Sequence, residues 1–475
     1  MPEDPLGDTL TAALRARAPQ CRVLTGAEVT EGHLRDEAAG APFGRARAVA
    51  LPQDTSQVSA VVRTCAELGV PIVPRGAGTG LSGGANAVEG CLVLATERMD
   101  RVLRVDVDDH TATVQPGVVN DDLKRVCAGH GLWYPPDPAS SAWSTIGGNV
   151  ATNAGGICCV KYGVTRDYVL GLEAVVADGT AVRLGGRTVK GVAGYDLRGL
   201  FTGSEGTLGV ITEVTLRLRV RRPEPPVTVV GLFDELTAAG RAVAAVAARG
   251  LTPAALELVD RHCLQAVDEW KRTGLEPGAA ALLLARSDAG GGAAEEEGRA
   301  LLDCFRGAGA TWADVSTDPV EADALFEARR LAYPALARRG PVLTEDVCVP
   351  RSRVPEMLER IAGISASRGV AVANIAHAGD GNLHPLIIVP GPDEAALARV
   401  HGVFEELMDA ALALGGTVTA EHGVGLLKRG GLRRESSAAA LALQHAVKRA
   451  LDPRGLFNPG KVLGPDRPWS PGAAS

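Results

Sequence analysis

Aromatic residues are scarce, at 4% of 475, and no Cys-x-x-Cys occurs among nine scattered cysteines. The cores must therefore be filled by Ala, Val and Leu. An odd, unpatterned cysteine count in a long chain reads as reduced, mostly buried thiols in a cytosolic protein. The adjacent pair Cys158-Cys159 is read as packing. No stretch approaches the ~18 to 20 consecutive apolar residues of a membrane span. The first residues, Met1-Pro-Glu-Asp-Pro5, lack the positive and apolar segments of a signal peptide. A net charge of −7 argues against a nucleic-acid surface or strong attraction to anionic membrane. A cytoplasmic protein is expected, with peripheral docking on a membrane through a partner left open. No internal repeat is visible.

What is abundant is glycine, and one stretch concentrates it. Pro74-Arg-Gly-Ala-Gly-Thr-Gly-Leu-Ser-Gly-Gly-Ala85 holds five glycines in twelve residues, directly after the apolar run Val70 to Val73. Such a loop can turn sharply and bring bare backbone N–H groups to a ligand, which suits a phosphate or pyrophosphate. Residues Gly78 to Gly83 match the dinucleotide fingerprint literally. That fingerprint requires a helix to begin inside it. Here two further glycines and a strand-like run, Cys91 to Ala95, follow instead. The pattern is strand, loop, strand, and no Gly-Lys-Ser/Thr marks a P-loop.

A second Gly/Asn-rich loop, Ser144-Thr-Ile-Gly-Gly-Asn-Val-Ala-Thr-Asn-Ala-Gly-Gly156, lies downstream. With Tyr134-Pro-Pro-Asp-Pro138, Lys161-Tyr-Gly163 and Gly203-Ser-Glu-Gly-Thr-Leu-Gly209, these loops resemble the flavin domain of the vanillyl-alcohol oxidase and p-cresol methylhydroxylase superfamily. The resemblance covers roughly residues 46 to 220. It implies that the first loop wraps the FAD pyrophosphate, through Pro74, Arg75, Gly76, Ala77, Gly78, Thr79, Gly80, Leu81, Ser82 and Gly83. It implies that Ser144, Thr145, Gly147, Gly148, Asn149, Ala151, Asn153, Gly155 and Gly156 run beside the flavin ring. Pro138, Tyr162, Gly163, Glu205, Gly209, Val210 and Ile211 are further implied contacts. Some relatives attach flavin covalently through a histidine in the first loop. Residues 74 to 85 contain none, so noncovalent FAD is expected.

A chain this long exceeds what one core usually supports. Alternating patterns predict strands near 48–51, 102–106 and 111–115, and a helix over 119–130. Asp54 and Gln57 are spaced as a capping box for a helix to about Leu68. Asp178-Gly179 joins a hairpin of 171–177 and 180–184. Arg221-Arg-Pro-Glu-Pro-Pro226 reads as a stiff linker. Beyond it, strands (227–233, 254–259, 280–285, 310–316) alternate with helices (235–249, 260–272, 299–308, and 319 to about 338). Asp318-Pro319 serves as cap and first turn of the last of these. The acidic patch Gly290 to Gly298 is read as a solvated connection. The expected class is α+β: an N-terminal segment 1–45; a p-cresol methylhydroxylase-type FAD-binding domain of two subdomains, 46–221; and a substrate or cap domain with an antiparallel sheet, 222–430. A return to the FAD domain over 431–464 and a disordered tail 465–475 complete it.

A second constellation lies in that cap domain. Ala371 to His377 and His384 to Val389 are strand-like around the turn Gly379-Asp-Gly-Asn382, which should set His377 and His384 side by side. Gly416 to Glu421 is a third strand-like run, ending in Glu421-His-Gly-Val-Gly425. Two His and one carboxylate can hold a divalent metal with an open position, zinc being favoured. His33, His110, His130, His262, His401 and His445 are read as ordinary core or surface residues. These segments resemble the C-terminal domain of FAD-linked D-2-hydroxy acid dehydrogenases, which include D-lactate dehydrogenase and the flavin subunit of glycolate oxidase. The likeness runs from about 46 to 463 and includes a closing motif, Leu456-Phe-Asn-Pro-Gly-Lys-Val462, whose Asn458 would return to the flavin. It implies that His377, His384 and Glu421 hold the metal and that His422 is the general base. By context Arg329 would meet the substrate carboxylate, with its neighbour Arg330 left open. Positions that hold a second carboxylate in hydroxyglutarate enzymes are Tyr333, Thr344 and Leu386 here, none cationic. That favours a small acid such as D-lactate or glycolate.

The expected reaction is metal-assisted removal of the hydroxyl proton with hydride transfer to flavin N5, giving the 2-oxo acid. Alternatives are a D-2-hydroxyglutarate dehydrogenase, a metal-free sugar or alcohol oxidase of the same fold, a nonenzymatic flavin subunit of an electron-transfer complex, and a flavin-free metal hydrolase. The acceptor (an iron–sulfur subunit, a cytochrome, a quinone, an electron-transfer flavoprotein or oxygen) and a homodimer are left open.

Overall fold

In the computed structural model, which describes residues 4–221, 224–272, 278–316, 318–389 and 394–464, the chain divides into two units. The first comprises Met1–Ala154, Val164–Arg221 and Glu421–Ser475; the second comprises Gly155–Gly163 and Arg222–Ala420. The expected disordered tail lies outside the described residues, as do positions 222 and 223 of the linker.

The first unit holds two main sheets. Strands β1 (Arg22–Leu24), β2 (Ala46–Leu51), β3 (Ile72–Arg75) and β4 (Cys91–Ala95) form one, in the order β1-β2-β4-β3. Strands β2, β4 and β3 run parallel, so β2 and β3 need a crossover. The helix Thr55–Leu68 supplies it. Asp54 caps this helix by accepting from the Gln57 N–H at 2.9 Å. The Gln57 side chain reaches back one residue further than in a regular capping box, to the Gln53 N–H. Its apolar face, with Val58, Val61, Val62 and Cys65, joins Ile72, Leu92 and Leu94 in the core. The first glycine loop does connect strand to strand, as its lack of a helix signal predicts.

The second sheet contains β5 (Val102–Asp106), β6 (Thr111–Val114), β8 (Val169–Val175), β9 (Ala181–Gly185) and β10 (Val210–Arg217), in the order β5-β6-β10-β8-β9. The short strands β7 (Leu132–Trp133) and β11 (Arg219–Val220) pair separately. The predicted hairpin is β8–β9, with Gly179 at φ 80° in its turn. The second glycine-rich stretch differs from the expected open loop: Ile146–Thr152 is a helix, capped by Thr145 and ended by Asn153 at φ 52°. Gly147 is there for packing, because a Cβ on it would strike Pro116.

The closing motif threads back beside β3. Ile72 donates to Leu456 O and Asn458 donates to Ile72 O, at 2.8 and 2.7 Å, and Phe457 is fully buried in the same core as the crossover helix.

The second unit is built on one antiparallel sheet. Its strands are β12 (Val227–Phe233), β13 (Ala255–Asp260), β14 (Ala281–Ser287), β15 (Trp312–Ser316), β16 (Val342–Thr344), β17 (Val347–Cys348), β18 (Val372–His377) and β19 (Asn382–Ile388). Their order is β15-β12-β14-β13-β18-β19-β16, with β17 also on β19. Helices Arg261–Lys271 and Pro319–Ala337 pack together over one face, with Ala255, Val259, Ile375 and Leu386 beneath them. Gly291–Gly307 is helical, correcting the expectation of a solvated connection over 290–298. Its buried positions Ala294, Gly298, Leu301 and Phe305 keep helical spacing. Two of them are too small to register as hydrophobic, and Gly298 is needed because a Cβ there would lie 2.8 Å from Val227.

Phe457→Ala is expected to cost about 3–5 kcal/mol of stability by opening a cavity under β3. Urea unfolding would read this as a lowered midpoint; an unchanged midpoint would contradict the packing.

Candidate active site

Within the first unit, two loops and one turn meet. From Gly76 to Gly84, no backbone N–H donates to a protein acceptor among the described residues. The loop is held instead through its carbonyls and its flanks. Glu37 donates to Gly80 O, and the Ala85 N–H donates to buried Asp36. Arg75 is folded beneath the loop, donating to Arg35 O at 2.7 Å and Ala77 O at 3.3 Å. A Cβ on Gly78 would collide with that guanidinium. Burial pushes the Arg75 guanidinium below its ordinary value and the Asp36 carboxyl above its own. The side chain of Arg75 is thus a strut for the loop. A Cβ on Gly76 would strike the Thr145 hydroxyl, which brings the two glycine-rich segments into contact. The Ser144 hydroxyl is buried without a partner.

The other implied flavin residues divide. Asn149 accepts from Asn120 Nδ2 at 3.0 Å, Ala151 O accepts from Glu205 N at 2.8 Å, and Asn153 Oδ1 accepts from Arg166 N at 2.8 Å. Pro138 O accepts from Ser141 N. Gly209 lies against Val175 O, and Val210 and Ile211 begin β10 with their side chains buried. Gly155, Gly156, Tyr162 and Gly163 belong to the second unit, where the Tyr162 hydroxyl and Lys161 both bond Asp288.

The turn carrying Glu421 and His422 belongs to the first unit and is tied to the first glycine loop. Ser82 Oγ donates to Gly423 O at 2.8 Å and lies 3.2 Å from His422 O, while Leu426 N donates to Ser82 O at 2.7 Å. Gly425, at φ 48°, has no room for a Cβ against Ser82 O. His422 Nε2 stands 3.9 Å from Glu421 Oε1. Asn458 Nδ2 donates to Gly84 O and to Glu205 O, both at 2.8 Å. Lys461 donates to Asn86 O and Asn458 Oδ1. Burial lowers this lysine to about 8.

Within the second unit, β18 and β19 bring His377 and His384 together. The register pairs His377 with Asn382 and Ile375 with His384, so the two imidazoles are diagonal neighbours on one face. Their ring centres are 5.1 Å apart at 87°, and both are buried. Glu257 pairs with His377 across β13 and β18 and is fully buried. Its carboxylate sits 2.8 Å from His377 Nδ1 and 2.9 Å from Arg329 Nε. An Nδ1–H donated to this carboxylate would make Nε2 the His377 atom able to bind a metal, the arrangement that orients metal-binding imidazoles. Arg329 is itself buried, and its two terminal nitrogens make no hydrogen bond among the described residues. Arg330 is half exposed and pairs with Glu327.

Asp346 is buried 3.6 Å from His384 Nδ1 and accepts from Asn382 Nδ2, the Thr419 hydroxyl and the Ala420 N–H. Thr344 pairs with Leu386 two residues along β19 from His384, on the same face, and its buried hydroxyl has no partner. Glu257 and Asp346 were missed in the sequence. Glu257 sits inside an apolar strand, and Asp346 lies between two short ones. Only the pairing of distant strands gives either a role.

Two family models match the chain. Residues 46–185 match the FAD binding domain family, and residues 222–462 match the family of FAD linked oxidases, C-terminal domain. The glycolate oxidase subunit GlcD of Bacillus subtilis is 42% identical over 420 residues, 88% of this chain and 89% of that one. The D-lactate dehydrogenase of Anaerostipes hadrus is 34% identical over 457 residues, 93% and 94% of the two chains. The crystal structure of p-cresol methylhydroxylase with substrate bound superimposes with a TM-score of 0.79 at 18% identity, covering 97% of each chain, which establishes the fold. With a p-cresol methylhydroxylase-type flavin fold and an antiparallel α+β domain, the chain belongs to the family of FAD-linked oxidoreductases that joins an FAD-binding domain to an FAD-linked oxidase C-terminal domain.

Proposed function

We propose that this protein oxidises a small D-2-hydroxy acid, D-lactate or glycolate, to the 2-oxo acid, using noncovalent FAD and a divalent metal, with zinc favoured. The observation that carries most weight is the Glu257–His377 pair beside His384. A buried carboxylate that sets the tautomer of one of two adjacent buried imidazoles suits a metal ligand and has no evident purpose in packing. Glu421 is the third ligand in this proposal. It follows Ala420 in the chain, and the Ala420 N–H is held by the same Asp346 that lies beside His384. FAD suits the first unit because the Gly76–Gly84 N–H groups and the Ser144 hydroxyl lack protein partners.

The groups these residues would hold supply, when bound, Lewis acidity toward substrate oxygens and a two-electron acceptor. The chain's own part is positioning and proton movement. The terminal nitrogens of Arg329 form a fork matched to a carboxylate, with Glu257 fixing its orientation. The His422 imidazole accepts the hydroxyl proton, imidazole being the side chain suited to proton transfer at physiological pH. A positioned base contributes about a hundredfold to ten-thousandfold in rate. Tyr333, Thr344 and Leu386 offer no cation to a second carboxylate, which favours a monocarboxylate over hydroxyglutarate. Glycolate oxidase GlcD of Bacillus subtilis is named as a subunit, and an iron–sulfur, cytochrome or quinone-linked partner is proposed to take the electrons here. No helix among the described residues is long and apolar enough to cross a membrane, and docking at one would run through such a partner.

Purified protein should be yellow, and anaerobic D-lactate or glycolate should bleach it. His422→Ala should keep the colour and slow bleaching at least about a hundredfold; bleaching at the wild-type rate would remove His422 from the base role. A chelator should stop bleaching without releasing FAD. Elemental analysis should find bound metal in the wild type and none in His377→Ala. Glu257→Gln should weaken metal binding about ten- to a hundredfold, read by competition with a metallochromic dye; unaltered affinity would reduce Glu257 to a core residue.

A further inference from the structure

We propose that Glu205 is a positioning residue: by accepting the backbone N–H groups of Val424 and Gly425, its carboxylate fixes the turn that carries His422 against the first glycine loop. This rests on His422 being the base. Each carboxylate oxygen takes one of the two donors, Oε1 from Val424 at 2.7 Å and Oε2 from Gly425 at 2.8 Å. Ser82 binds the carbonyls at the start of the same turn, so the segment from His422 to Gly425 is gripped by its acceptors on one side and its donors on the other.

The carboxylate is closely walled. A Cβ on Gly423 would lie 2.9 Å from Glu205 Cδ and Oε1, and one on Gly84 would lie 3.0 Å from Oε2. Glu205 is also anchored through its backbone. Its N–H donates to Ala151 O in the second glycine-rich segment, and its carbonyl accepts from Asn458. It holds a left-handed conformation, φ 50°, which a residue with a side chain adopts only where surrounding contacts over-determine it. Both flavin-side segments and the closing motif therefore converge on a residue whose side-chain oxygens face the His422 turn. Burial pushes its carboxyl up to about 7, partly offset by the two N–H donors and by Lys461. Such a buried carboxylate is costly unless its hydrogen bonds are made, and here the turn makes them.

The test is a double-mutant cycle on the full-length FAD-loaded protein, read by anaerobic flavin reduction with D-lactate or glycolate. Glu205→Gln offers one acceptor and one donor to two N–H groups, so one end of the turn is released. FAD content and the half-saturating substrate concentration should stay near wild type, while the limiting reduction rate falls about ten- to a hundredfold, the scale of a misplaced catalytic group. The double variant with His422→Ala should be no slower than His422→Ala alone, because the two residues act as one unit. Gly423→Ala, which crowds the carboxylate from the turn side, should show the same selective loss. Wild-type reduction by Glu205→Gln, multiplying losses in the double variant, or loss of FAD from both Glu205→Gln and Gly423→Ala would each overturn the inference. His422→Ala reducing its flavin at the wild-type rate would instead sink the base assignment, whatever Glu205 does.

Discussion

Backbone N–H groups left without acceptors impose the strongest constraint on the first unit. Orphaned donors cost about 1–3 kcal/mol each when water is excluded, so a loop such as Gly76–Gly84 is stable only if a ligand or solvent serves it. Its shape cannot be maintained by its own amides, and the surrounding chain supplies the support. Arg75 and Asp36 brace it from beneath, Ser82 ties it to the His422 turn, and Asn458 and Lys461 hold its far end through Gly84 O and Asn86 O. Apart from Asp36, which takes the flanking Ala85 N–H, these supports avoid the loop's donors. A loop braced through carbonyls and side chains keeps its positive face for an anion, which is what a pyrophosphate requires.

The second unit solves a different problem, that of charged groups in a sheet core. Glu257 is buried with an arginine on one oxygen and an imidazole near both. An isolated carboxylate there would be expelled or protonated. Paired as it is, it sets the direction of both neighbours. Replacing one member strands the others, so the three are expected to behave as a unit. Asp346 lies 3.6 Å from His384 Nδ1 and is itself held by three donors, from Asn382, Thr419 and Ala420.

Legibility in the sequence followed the range of the interactions. Gly76–Gly84 and the His377–His384 hairpin are local patterns, and the turn at Gly379–Gly381 could be read from its residues alone. The crossover helix after Asp54 was legible because cap and apolar stripe are both written within its own span. Only the second half of helix 291–307 was, because its first half uses Ala294 and Gly298 where a periodic hydrophobic signal needs larger side chains. Glu257 precedes His377 by 120 residues and becomes its neighbour only through strand pairing. Nothing in Ala255–Asp260 distinguishes that glutamate from one that caps or frays a strand. Glu205 was visible within Gly203–Gly209 as part of a flavin motif, but the direction of its carboxylate is a tertiary fact.

That direction matters for how the loop and the base depend on each other. Gly83, Gly84, Gly423 and Gly425 all lie where a Cβ would meet a neighbour within about van der Waals distance, on one side or the other of Ser82 and Glu205. Small residues at four such places allow two chain segments, more than 300 positions apart, to pack backbone against backbone. Backbone packing has few soft degrees of freedom, because peptide planes cannot change rotamer as side chains do. The physical consequence is that the shape of the glycine loop and the placement of the His422 turn depend on the same hydrogen bonds, those of Ser82 and Glu205 to residues 422–425.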